Sequence, residues 1–151
     1  MNEKHESPVI VVGVDGSPSS IEALRVAERL SGPLGARVEA VTCWTYPGIY
    51  TTPEARQAVD VEAPARKMLE LAVETAFGLD WPDNLTTRLI EQAPRPALLE
   101  AGNDALMLIL GRRGMGGFRG LLMGSVSSVC AAHARCPVLV VRATKKGETN
   151  V

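Results

Sequence analysis

LMLILGRRGMGGFRGLLMGSVSSV, Leu106 to Val129, decides the fold. The unbroken apolar run Leu106–Leu110 empties into a glycine-rich loop. A small-residue helical pattern then opens at Ser125. Six of the chain's 14 glycines fall between Gly111 and Ser125, together with Arg112, Arg113 and Arg119 and no Asp or Glu. A short apolar run of this kind suits a strand covered on both faces, as in a parallel sheet. Strand, glycine loop and helix in succession make half of a βαβ unit.

The same alternation continues outward. VIVVGVD (Val9–Asp15) reads as a first strand. In GSPSS after it, Ser17 suits a helix N-cap. Pro18 suits the first helical position, where a missing N–H removes no bond. Ile21, Leu24 and Ala27 to Leu30 mark the apolar face of that helix, which is expected to end at Gly32-Pro33. VEAVTCW (Val38–Trp44) is a second strand, and TYPGIYTTP a loop long enough to lie over something. A helical pattern runs through Val61, Ala65, Met68, Leu69, Ala72, Val73 and Ala76, with Pro64 at its start, break or kink.

LDWPDN is a connector, and Leu85–Glu91 a weaker third strand. APRPALLEAGND holds a short helix with Gly102 near its end. SVSSVCAAHA is the last helix, ended by Cys136-Pro137, and VLVV (Val138–Val141) the last strand. The tail from 143 on is polar. The order β-α-β-α-β-α-β-α-β predicts an α/β fold: a doubly wound parallel sheet with helices on both faces and right-handed crossovers. There is no internal repeat and no domain boundary, so residues 1–151 are expected to form one domain with a core over 9–142.

With 151 residues, 46% hydrophobic, the chain can bury one sizeable core. Its net charge of −1 argues against general polyanion binding, and aromatics at 4% give no stacking pattern for nucleic acid. No apolar run reaches the roughly 18 residues of a membrane span. MNEKHES has no apolar signal-peptide region. The expected location is therefore cytoplasmic, without membrane or nucleic-acid partners. Three cysteines, Cys43, Cys130 and Cys136, fit a reducing compartment. Charge is uneven: Ala105–Gly147 holds seven Lys and Arg and no acid.

In open α/β sheets ligands bind beyond the carboxyl ends of the strands, near the switch in strand order. Two loops there are unusual: Asp15-Gly16-Ser17 after the first strand, and the glycine loop after the fourth. Glycines let backbone N–H groups approach an anion. The helix start at Gly124-Ser125-Val126-Ser127 adds uncapped N–H groups and a partial positive charge, and Ser125 and Ser127 add hydroxyls. These features point to a phosphate-bearing ligand. They match neither a P-loop nor a G-x-G-x-x-G fingerprint, since Gly120 falls one residue late after Gly114 and Gly116.

Gly111-x2-Gly114-x9-Gly124-Ser125 resembles the nucleotide-binding pattern of the universal stress protein family. VVGVDGSPSS resembles that family's first strand and loop, and AHARCPVLVVR its closing helix and strand. PALLEAGNDALMLILGRRGMGGF resembles its fourth-strand region. The likeness spans Val9 to Arg142. It implies a three-layer sandwich with a five-stranded parallel sheet in the order 3-2-1-4-5. It also implies ATP as ligand, with Mg2+ accompanying the phosphates, although no dedicated cluster of ion ligands stands in the sequence.

By position, Gly13, Val14 and Asp15 would meet the nucleoside, and Cys43 would offer backbone contacts to adenine. Gly111, Arg112, Arg113, Gly114 and Gly116, then Gly124, Ser125, Val126 and Ser127, would hold the phosphates. The resemblance implies a homodimer through the last strand, 138–142, and a stress-response regulator switched by its nucleotide. The chain departs from the family at Ala93, where glycine is common.

Other readings carry less. Cys43 reads as a small buried residue, not a reactive thiol. Cys130-x2-His133-x2-Cys136 lacks a fourth zinc ligand. Trp44 and Trp81 read as packing residues. A slow ATP hydrolase or phosphotransferase would need a general base that the sequence does not show. A dimeric scaffold without nucleotide would be expected to lose glycines that this chain keeps.

Overall fold

The computed structural model describes residues 6–113 and 123–143. The elements are β1 (Val9–Gly13), α1 (Pro18–Leu34), β2 (Arg37–Trp44), α2 (Pro53–Gln57), α3 (Glu62–Phe77), β3 (Leu85–Glu91), α4 (Pro94–Gly102), β4 (Met107–Gly111), α5 (Ser125–His133) and β5 (Val138–Val141). All five strands run parallel in the order β3-β2-β1-β4-β5. The strand order reverses between β1 and β4, which opens a crevice at their carboxyl ends.

Each strand alternates its side chains between two cores. Ile10, Val12, Val38, Ala40 and Ile109 pack with Ala23, Leu24 and Ala27 of α1 and with Leu69, Ala72 and Val73 of α3. Val11, Val41, Leu108 and Leu110 face the other way, against Leu98 of α4 and Cys130 of α5. Two buried faces explain why the central strands are continuous apolar runs. The flanking strands are less covered: Thr86, Thr87 and Arg88 of β3 are exposed, and Val138 to Val140 of β5 are half-buried.

Helix ends follow local chemistry, with one departure from the sequence reading. Ser17 caps α1 by accepting the Ser20 N–H at 3.2 Å, and Pro18 starts the helix. The helix does not stop at Gly32-Pro33. It runs on to Leu34 and turns at Gly35, whose φ of 59° is left-handed. Gly35 N–H bonds Gly32 O at 3.1 Å and Ala36 N–H bonds Ser31 O at 2.9 Å. Pro33 sits in the last turn, where its missing N–H removes one bond and Gly35 supplies the stop.

The short α2 is also absent from the sequence reading. Thr52 caps it by accepting the Ala55 N–H at 3.1 Å, ahead of Pro53. It buries nothing, so it has no apolar periodicity to reveal it. In α3, Pro64 falls in the first turn, as a start-compatible proline should. No helix among the described residues is long and apolar enough to cross a membrane.

Candidate functional site

The predicted site residues come from three chain segments that the sheet brings together. Parallel pairing sets Gly13 opposite Val41, and the ladder continues with Val14 N–H on Val41 O at 2.8 Å. Thr42 Oγ1 then donates to Val14 O at 2.8 Å. The Asp15 turn is thereby held beside the end of β2, at Cys43. On the other flank Val12 pairs with Ile109, which sets the end of β4 beside the end of β1.

At the end of β1, Asp15 is exposed and its Oδ1 accepts the Ser17 N–H at 2.9 Å. The helix N-cap is Ser17 and not Asp15. Gly16 turns the chain with φ 82°. A Cβ on Gly13 would lie 2.5 Å from Leu110 Cδ2 of β4 and 3.1 Å from Leu98 Cδ1 of α4, so this glycine leaves room for both leucines.

The end of β4 is fixed from both sides. Arg112 N–H bonds Val141 O at 2.6 Å, and Gly124 N–H bonds Arg112 O at 2.6 Å. The Ser127 hydroxyl lies 3.0 Å from Arg112 O and 3.2 Å from Gly124 O. Ser127 is buried, and its one hydroxyl proton is spent on these carbonyls. Ser125, the other predicted hydroxyl, is exposed. Arg113 O accepts the Ser19 hydroxyl at 2.6 Å.

Gly111 has a reason to be glycine that the sequence did not suggest. A Cβ there would lie 2.8 Å from Ser20 N and would strike Ser19 Oγ. The first turn of α1 rests directly on the end of β4, and only a hydrogen side chain admits it.

Two features define the chemistry of this end. The N-cap of α5 is Gly124, which has no side chain, so among the described residues no side-chain cap bond meets the N–H groups of the first turn, Ser125 to Ser127. Arg113 Nε is buried without a hydrogen-bond partner among the described residues. Helix-start N–H groups and a guanidinium N–H are the donor types that suit an anion. Gly114, Gly116 and Arg119 lie outside the described residues.

Cys43 is half-buried, and burial pushes its thiol up to about 11, with Arg88 opposing and Cys130 adding to the rise. Cys130 and Cys136 are also raised, chiefly by burial. These thiols stay protonated at neutral pH, consistent with packing roles. Among the described residues no group of three His, Cys, Asp or Glu is placed to hold a metal ion.

A separate groove of about 590 Å³ lies on the α4 side of the sheet, from Pro8 and Val9 to Arg88 and Gln92. None of the predicted site residues lines it.

Sequence reasoning missed Ser19 and Thr42, which hold the site from behind. The second serine of the SPSS run was visible, but its partner lies 94 residues away.

Comparison with known proteins agrees with this architecture. The universal stress protein family matches residues 7–142. A universal stress protein of Mycolicibacterium smegmatis is 33% identical over 144 residues, which cover 91% of this chain and 47% of that protein. The chain spans about half the length of the curated relatives it matches. Among solved structures, a universal stress protein in complex with cAMP shares 25% identity with a TM-score of 0.58, covering 91% of this chain and 98% of that one. A universal stress protein from Archaeoglobus fulgidus in complex with dAMP shares 22% identity with a TM-score of 0.60, covering 90% and 98%. By its matched span, its strand order and the motif at the end of β4, the chain belongs to the universal stress protein family.

Proposed function

We propose that this chain binds ATP across the ends of β1 and β4 and acts as a nucleotide-dependent regulator. One observation carries the reading. Arg113, whose buried Nε has no partner among the described residues, follows Arg112 at the end of β4, and the Arg112 carbonyl takes the Gly124 N–H at the start of α5. Such donors call for a multiply charged oxyanion. The phosphates would lie there, on Gly111 to Arg113 and Gly124 to Ser127, with Gly114 and Gly116 completing the seat. Gly13, Val14 and Asp15 would take the nucleoside, and the Cys43 backbone the adenine edge. Mg2+ would enter with the phosphates.

The adenine nucleotides bound by two structural neighbours support the class of ligand. A cytoplasmic setting, where ATP is abundant, fits it. We also infer a homodimer through β5: this strand ends the sheet, and its half-buried Val138, Leu139 and Val140 form an apolar edge that a second copy would cover.

The test is to purify the protein without added nucleotide, denature it, and separate the supernatant by anion exchange with mass detection. Near-stoichiometric ATP is expected. Recovered ADP or AMP would instead indicate turnover. An empty protein that also gives no heat with added ATP would refute the nucleotide reading.

A further inference from the structure

Three of the chain's six aromatic residues, Trp44, Tyr46 and Tyr50, fall within seven positions at the end of β2. The sequence reading made Trp44 a packing residue. The structure places neither Trp44 nor Tyr46 in either hydrophobic core, whereas Trp81 packs against the first. Both are half-buried, at the end of the sheet where the ligand crevice opens.

Their arrangement is braced. The Trp44 and Tyr46 rings meet edge to face, with centroids 5.4 Å apart and planes at 72°. Arg56 of α2 lies over the Tyr46 ring, with Cζ 5.2 Å from its centroid. Arg56 Nε also donates to Tyr50 O at 3.0 Å, and Tyr50 N–H closes a turn on Pro47 O at 3.0 Å. A two-ring unit held by a cation and a helix cap has little rotamer freedom left to lose on binding.

Its place in the ladder gives it a use. Gly13 pairs with Val41, so Trp44 lies three residues beyond the strand position level with Gly13, at the carboxyl end of β2. Cys43 belongs to the α5-side core, and alternation sends Trp44 to the α1 and α3 side. On that side Gly16 approaches Met68, where a Cβ would lie 3.0 Å from the sulfur. The anion seat lies on the opposite flank of β1, at β4 and α5. A ligand with its phosphates there and its base across β1 reaches the aromatic side.

We propose that Trp44 and Tyr46, braced by Arg56, form a stacking wall that recognises the purine base. The inference rests on the nucleotide reading and adds the residues that select a base-bearing ligand over phosphate alone. Base–aromatic stacking of this kind changes affinity by about tenfold per ring.

The test titrates ATP and inorganic tripolyphosphate into wild type, Tyr46→Phe, Tyr46→Ala and Trp44→Ala by calorimetry, with melting curves to check folding. The wild type should prefer ATP. Each alanine variant should lose about tenfold for ATP while binding tripolyphosphate as the wild type does, and Tyr46→Phe should keep its ATP affinity. In a Trp81→Phe background, ATP should quench the remaining Trp44 fluorescence. ATP affinity unchanged in both alanine variants, or equal losses for both probes, would overturn the wall and leave the nucleotide reading intact. A wild type that binds neither probe would overturn the nucleotide reading, and the wall with it.

Discussion

The Ser19 hydroxyl donates to the carbonyl oxygen of Arg113 at 2.6 Å, tying the first turn of α1 to the end of β4 across 94 residues of sequence. Both partners sit at the end of β4 where the phosphates are proposed to lie, so this bond sets where the Arg113 backbone leaves the sheet. Ser19→Ala would leave a part-buried carbonyl unsatisfied. We expect a loss of about 1–2 kcal/mol in urea unfolding and weaker ATP binding. Unchanged stability and affinity would show that the bond positions nothing.

Gly111 should tolerate no side chain. Gly111→Ala pushes a methyl group against backbone at Ser20 N, and backbone cannot swing away. The expected destabilisation is about 1–3 kcal/mol by chemical denaturation, and more for Gly111→Val. By contrast, a Cβ on Gly32 meets nothing within 4 Å, and Gly32→Ala should be neutral or slightly stabilising.

Arg113→Met keeps much of the aliphatic bulk and removes the charge and the donor. ATP affinity should fall about tenfold or more by calorimetry, with adenosine affinity little changed and the melting temperature preserved. An equal loss for adenosine would place Arg113 away from the phosphates.

The raised thiols give the fold an alkaline limit. Burial lifts the folded pKa of Cys43 from 9.0 to about 11, and Cys130 and Cys136 move the same way. The unfolded chain thus releases its thiol protons first. The stabilisation is complete below about pH 9 and is lost as pH rises toward 11. Melting temperature should decline across that window under reducing conditions, and Cys43→Ala should flatten the decline. An identical pH profile in the variant would exclude Cys43 as its source.

The β5 edge predicts an oligomer that a single charge can open. Val140 lies on that edge outside both core clusters. Val140→Lys should convert a dimer to a monomer in sedimentation velocity while keeping the melting transition cooperative. A wild type that sediments only as monomer at micromolar concentration would refute the dimer.

Much of this was written in the chain itself. Apolar runs such as Val9–Val12 and Leu108–Leu110 need burial on both faces, so they dictate a parallel, doubly wound sheet whatever the loops do. Ser17-Pro18 and Thr52-Pro53 are local cap signals that act before any tertiary contact forms, although without apolar periodicity the second is legible only in the structure. The spacing of glycines after β4 likewise raises the expectation of an anion loop from sequence alone.

Tertiary structure decided what each polar or small residue is used for. The Ser127 hydroxyl is seen only in the structure to lie against the Arg112 and Gly124 carbonyls. Gly111 has, besides its place in the motif, a packing reason to be glycine, because the first turn of α1 rests on it. Ser19 and Thr42 show no periodicity, because their partners, Arg113 and Val14, come from distant segments. Periodicity and capping are properties of neighbours along the chain. The pairing of a hydroxyl with one particular distant carbonyl exists only once the strands have set their order and register.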